Sequence, residues 1–204
     1  MKAIILNCTL SPSPKTSNTQ ALAEVVIEAL EQHGVETELI RVVDHDVKPG
    51  VSSDEGDGDE WPQIRDKLVE SEILVIASPT WLGKPSSVAQ RVLERMDAML
   101  SETDDEDRPI AYNRVAGFIV TGNEDGAHHV ISELAGGVID IGYTVPGQAW
   151  TYWNMGPGPG PSYLESDYKH DWSKSTGEAA AANLVAVARA LAANPVPAPP
   201  GSGD

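Results

Sequence analysis

Cysteine is almost missing from this chain, with one residue in 204. That excludes an intramolecular disulfide framework and any all-cysteine iron–sulfur cluster within one chain, and it fits a reducing cytoplasm. Positive charge is also scarce: 14 basic residues stand against 31 acidic ones, for a net charge of −17. A field of that sign repels phosphate backbones and anionic lipid heads, which argues against nucleic acid and membrane surfaces as partners. Solubility in a saline cytoplasm accounts for the acidity, and an acidic docking face is the other reading. No apolar run approaches the ~20 residues of a spanning helix, and the opening MKAIILNC is too short an apolar run for a signal peptide. Glycine, finally, is absent from residues 9–18, the loop after the first apolar run. This removes both the dinucleotide fingerprint G-x-G-x-x-G and the P-loop G-x-x-x-x-G-K-[ST] from the position either would occupy.

What is present is a regular alternation. Residues 2–8 form a continuous apolar run, the pattern of a strand buried on both faces. Asn18 or Thr19 caps a helix whose Leu22, Val25, Val26, Ala29 and Leu30 share one stripe and which stops at Gly34. Residues 35–43 read as the next strand. A helix over 61–70, a strand over 73–77, a helix over 88–100 and a strand over 115–120 follow, then a helix over 129–141 and a short strand at 143–145. An alanine-rich helix over 177–193 closes the pattern. This rhythm predicts the α/β class: a doubly wound five-stranded parallel sheet with helices on both faces. A single domain spans 1–195, with an aromatic, Pro/Gly-rich insertion near 149–175 and a flexible tail at 196–204. Residues 44–60 are polar, acidic and Gly-rich and read as a solvated loop; their carboxylate spacing lacks the glutamate that closes an EF-hand, so no metal site is expected.

Ligands of such sheets sit outside the carboxyl ends of the strands, where the strand order reverses. Three loops leave those ends. The first, SPSPKTSNT, offers hydroxyls and backbone amides just before a helix N-terminus, a cradle suited to a phosphate. A merely capped, solvated loop is its plainer reading. Cys8 stands where a small tyrosine phosphatase places its nucleophile, but the partner arginine six residues on is Pro14 here. Ala77-Ser78 likewise stands where a receiver domain needs an aspartate. In the second loop Pro79 stiffens the strand exit, Trp81 offers a flat face, and Gly83 admits close approach. Pro85, Ser86 and Ser87 then start a helix, which predicts a second set of amide donors. The third loop, TGNEDGAHH, combines Gly122 and Gly126 with hydroxyl, amide and carboxylate groups; a turn at Asp125-Gly126 explains it equally, and His128 and His129 read as solvated or capping.

Taken together, SPSPKTSNT, SPTWLGKPSSVAQRVLERM and TGNEDGAHH resemble the loops of the flavodoxin-like flavoproteins, and more closely the NAD(P)H-dependent FMN reductase and quinone reductase branch. The resemblance covers residues 2–148 and the last helix. It implies FMN as cofactor, with Ser11, Thr16, Ser17, Asn18 and Thr19 on the phosphate. Pro79, Thr80, Trp81, Leu82 and Gly83 would line one side of the ring, and Thr121, Gly122, Asn123 and Gly126 the other. Departures are Cys8-Thr9 where the family often has Gly-Ser, and Pro14-Lys15 where it has an arginine. The implied activity is that of an FMN-dependent oxidoreductase taking hydride from NADPH or NADH and passing electrons to a quinone, free flavin or similar small-molecule acceptor. The flavin performs that chemistry, so no acid or base side chain is obligatory. Lys84, Arg108 and Arg114 are the candidates to meet a 2′-phosphate. A flavodoxin-type carrier without pyridine-nucleotide turnover is the alternative, and the acidity suits it. The aromatics of residues 149–172 call for cover, which predicts a homodimer or homotetramer in the cytoplasm.

Overall fold

The computed structural model describes residues 1–158 and 160–200. Pro159 and the last part of the expected tail, residues 201–204, lie outside the described residues. The elements in chain order are β1 (Lys2–Asn7), α1 (Asn18–Gln32), β2 (Glu36–Arg41), α2 (Trp61–Glu70), β3 (Ile73–Trp81), β4 (Lys84–Pro85), α3 (Ser87–Met96), β5 (Val115–Gly122), α4 (Ala127–Ile141), β6 (Trp150–Asn154) and α5 (His170–Ala193). The sheet runs β2-β1-β3-β5-β6 with every pairing parallel, and β4 is a two-residue hairpin partner to the end of β3. This is the flavodoxin-like doubly wound order, and its direction reverses between β1 and β3.

Burial on both faces explains the unbroken apolar strands. Ile4, Leu6 and Cys8 of the first run join the core under α2, α3 and α4, while Ala3 and Ile5 join the core under α1 and α5. Cys8 is wholly buried, and burial pushes its thiol well above the ordinary range.

The structure corrects the sequence reading at two places. The fifth parallel strand is β6, not residues 143–145, where Thr144 makes only an isolated bridge to Val115. WTYWN alternates Thr151 and Trp153 on one face with Trp150 and Tyr152 on the other, and both faces are covered, so no polar–apolar period announces the strand. The stretch read as an insertion thus supplies a strand of the sheet. The last helix begins at His170 and runs through Gly177. A Cβ at Gly177 would lie 3.2 Å from Val25 Cγ1 and 3.4 Å from Val26 Cγ2, so the glycine marks the close crossing of α5 over α1, not a helix end.

Residues 44–60 form the expected exposed loop, and it is anchored from below. The side chain of Arg95 on α3 is fully buried and donates to Lys48 O at 2.9 Å, to Ser52 O at 2.9 and 3.1 Å, and to the equally buried Asp59 carboxylate at 2.7 Å. Its guanidinium also lies 5.7 Å from the Trp61 ring centre. Burial opposes the Asp59 charge, but the Arg95 bond and the amides of Glu55, Trp61 and Lys48 outweigh it, and the carboxyl is held far below the usual range. No described helix is long and apolar enough to cross a membrane.

Candidate functional site

The carboxyl ends of β1, β3 and β5 open into a cleft of about 210 Å³. The first loop forms one end. Asn7, fully buried at the end of β1, accepts from Thr9 N–H at 3.2 Å, which turns the chain away from the sheet. Ser17 caps α1 by accepting from Gln20 N–H at 3.1 Å. Thr19 and Thr121 share a buried hydroxyl–hydroxyl bond of 2.8 Å between α1 and β5. The backbone N–H groups of Thr16, Ser17 and Asn18 find no partner among the described residues, so they stand free at the positive end of the helix dipole.

Of the predicted phosphate residues, Ser11, Thr16, Ser17, Asn18 and Thr19 all line this cleft. Pro79, Thr80 and Trp81 line it from β3, Thr121 and Gly122 from β5, and Asn123 from the loop after it. Trp81 is 54% exposed as a residue, which puts an apolar aromatic side chain at the mouth. Thr80 Oγ1 is buried and has no hydrogen-bond partner. A hydroxyl in that state is costly unless something in the cleft answers it. Gly122 keeps the space beside it open: a Cβ there would lie 3.1 Å from Thr80 Cβ and 3.0 Å from Glu124 O.

Leu82, Gly83 and Gly126 fall outside the lining. Leu82 and Gly83 form the hairpin tip and Gly126 precedes α4; Leu82 is 92% exposed at φ 52° and donates its N–H to Glu124 Oε1 at 2.7 Å. A Cβ on Gly126 would lie 2.9 Å from Gly83 Cα, so these glycines let the second and third loops touch. The start of α3 is likewise turned away from its expected place. Ser86 N–H binds Ser78 Oγ at 3.0 Å and Ser86 Oγ donates to Cys8 O at 2.6 Å, which ties helix to sheet. Lys84 pairs with Glu133 on α4. Arg108 pairs with Asp104, and Arg114 donates to Val69 O, at the amino end of the sheet and away from the cleft.

Sequence reasoning missed four lining residues: Thr9, Leu10, Ser162 and Tyr163. The last two belong to a strap, residues 160–169, that folds back over the cleft. Gly160 exchanges hydrogen bonds with Asn123, N–H to O at 3.2 Å and Nδ2–H to O at 3.3 Å, and Leu164 N–H donates to Asn18 Oδ1 at 2.9 Å. Tyr163 stacks on His170 at 4.0 Å and meets Trp153 edge-on at 5.6 Å. Its phenol is raised by burial, with a hydrogen bond to Ser173 opposing. The one local signal was Ser162-x-x-Glu165, which forms a capping box on a single 3₁₀ turn.

Among the described residues no Asp, Glu, His, Lys, Arg or Cys lines the cleft, although the chain carries a net charge of −17. Hydroxyls, amides and aromatic rings bind and orient, but they do not supply redox chemistry; that must come with a bound group. FMN fits the set: free amides at a helix start for a phosphate, Thr80 Oγ1 for a polar edge, and an exposed indole for a flat ring. Fold and cleft together define a flavodoxin-like flavoprotein.

More particularly, the chain belongs to the NADPH-dependent FMN reductase family of FMN-dependent oxidoreductases, whose profile matches residues 1–154. It is 41% identical over 175 residues to the 8-demethyl-8-aminoriboflavin-5′-phosphate synthase of Streptomyces davaonensis, covering 81% of this chain and 68% of that protein. A Mycobacterium bovis protein named divalent metal cation transporter MntH is 38% identical over 169 residues, but this match covers 81% of the chain and only 25% of that protein. The solved structure of RosB with bound 8-demethyl-8-formylriboflavin-5′-phosphate superposes with a TM-score of 0.89 at 37% identity, covering 96% of this chain and 82% of that one. The family profile ends at Asn154, so the strap wall with Ser162 and Tyr163 comes from outside it.

Proposed function

We propose that the cleft binds FMN and that the protein oxidises NAD(P)H and passes the electrons to a quinone, free flavin or similar small acceptor. The observation that carries this reading is the uncharged cleft between the free amides of α1 and the exposed Trp81 ring. Bound FMN supplies the redox chemistry. The chain's own residues do the rest. Thr16, Ser17, Asn18 and Thr19 hold the phosphate, Thr80 donates to the polar edge of the ring, and Trp81 supports its apolar side. Asn123 keeps the strap shut on the third loop, so that Ser162 and Tyr163 exclude water. Lys84 pairs with Glu133, and Arg108 and Arg114 lie at the far end of the sheet, so none of the three cations suggested for a 2′-phosphate lines this cleft, and NADPH and NADH both stand as donors. A homo-oligomer covering the exposed Trp81 and Trp172, at work in the cytoplasm, is part of the proposal.

Anaerobic titration with NADH and NADPH tests it: the yellow protein should bleach with at least one of them. A yellow protein that ignores both would be a carrier. A protein that takes up no FMN would sink the reading altogether. Likeness to a synthase of a riboflavin phosphate derivative favours a second reading, in which the flavin phosphate is the substrate and not a resident cofactor. Mass spectrometry of flavin recovered after aerobic incubation separates the two, since only a substrate comes back with a changed mass.

A further inference from the structure

The phosphate loop has two unequal kinds of neighbour. Its own residues face the cleft, but what shapes it comes from the end of β2, the next strand over. Arg41 lies opposite Asn7 in the β1–β2 register, where the loop leaves the sheet. Its guanidinium donates to Lys15 O at 2.7 Å, to Ser11 O at 3.4 Å and to Gln20 Oε1 at 2.6 Å. One planar fork thus ties together the start of the loop, its end and the first turn of α1. Three residues on, Asp44 accepts from Ser13 N–H at 2.8 Å and Ser13 Oγ–H at 2.6 Å. Those two bonds hold the Asp44 carboxyl below the usual range. The end of β2 and the 3₁₀ turn after it therefore bind the loop's carbonyls with a cation and its amide with an anion.

We propose that Arg41 and Asp44 are positioning residues for phosphate recognition: they hold the loop's polar groups from behind so that its free amides face the ligand. The proposal rests on the FMN reading above. In a trans peptide the C=O and N–H point opposite ways. Drawing Lys15 O onto Arg41 therefore turns Thr16 N–H away from it, to the side where Thr16 lines the cleft. Neither Arg41 nor Asp44 lines the cleft itself. The loop carries no arginine of its own, and Arg41 supplies one from outside.

Asp44 makes the proposal testable by sign. A carboxylate beside a phosphate site repels the ligand, so electrostatics alone predicts that Asp44→Ala tightens FMN binding. Positioning predicts the reverse. The experiment measures dissociation constants of FMN and of riboflavin, which lacks the phosphate, for the full chain and for Arg41→Ala, Arg41→Lys and Asp44→Ala. We expect Arg41→Ala to weaken FMN at least tenfold, Asp44→Ala to weaken it about threefold, and riboflavin to change by less than twofold in both. Arg41→Lys keeps the charge but loses the fork, and should recover only part of the loss. Tighter FMN binding by Asp44→Ala, or equal losses for both ligands, overturns the proposal while leaving the flavin reading in place. A parent chain that does not prefer FMN to riboflavin overturns both. Should Arg41→Ala fail to fold, Asp44→Ala decides alone, since its carboxylate is exposed and no core depends on it.

Discussion

Two irregular segments flank the sheet, and they are fixed by opposite means. Residues 44–60 have at their centre one fully buried ion pair, Arg95 with Asp59, whose cation also takes the carbonyls of Lys48 and Ser52. The strap at 160–169 carries no such anchor. It is held by the Tyr163–His170 stack, the Tyr163–Trp153 edge contact and neutral hydrogen bonds to Asn18 and Asn123. A single buried charge pair fails all at once, because either partner left alone is an uncompensated charge. Several weak contacts release in sequence at small cost, which suits a segment that must let a ligand in. The acidic segment is therefore tied to the α2/α3 face by charge, and the strap is held by uncharged contacts alone.

The largest test of this contrast is Arg95→Ala, which strands Asp59 and should destabilise the fold by about 3–5 kcal/mol in denaturant unfolding. Arg95→Met combined with Asp59→Leu removes both charges and should restore most of that loss. A double variant no more stable than the single one would show that the loop carbonyls, not the pair, carry the anchor. Acid should act on the same segment. The folded Asp59 carboxyl is depressed, so its contribution is complete above the unfolded value near ~4 and fades as pH falls below it. Native-state hydrogen exchange at falling pH should show the opening free energy of residues 44–60 dropping more steeply than that of the strap, which lacks the Asp59 anchor.

At the strap, Tyr163→Ala removes both ring contacts and should speed FMN release roughly tenfold in stopped-flow, at a cost in global stability of about 3 kcal/mol. Equal losses in both readouts would mean that the strap is as rigid as the acidic segment. Asn18→Ala takes away one bond to Leu164 N–H and sets the lower end of the scale, about 1 kcal/mol or less, visible as slightly faster release.

The same contrast marks what sequence could and could not reveal. The repeating β-α units were legible because burial on both sheet faces leaves long apolar runs such as Ile4 to Cys8 and Ile73 to Ala77. The three loops at the strand ends followed from topology, and eleven of the fourteen site residues expected there do line one cleft. Arg95 was not legible, because a charge on an amphipathic helix reads as solvent-facing and nothing local says that Asp59 waits beneath it. Neither was β6, whose aromatics cover both faces, nor the start of α5, masked by Gly177 at a helix crossing. Ser162 and Tyr163 reach the cleft only through the return of the chain across the sheet ends, which leaves no periodic trace. The struts at Arg41 and Asp44 escaped for a similar reason: they act on the first loop from a neighbouring strand.

Cys8 gives the molecule a reporter of its own. It is the only thiol in 204 residues, with no solvent exposure and a raised pKa, capped by the tie from Ser86 to its carbonyl. Thiol reagents attack the thiolate, so the folded chain should resist alkylation and peroxide alike. Each labelling event then counts one opening of the central sheet, and its rate in excess reagent should match the unfolding rate with no engineered probe.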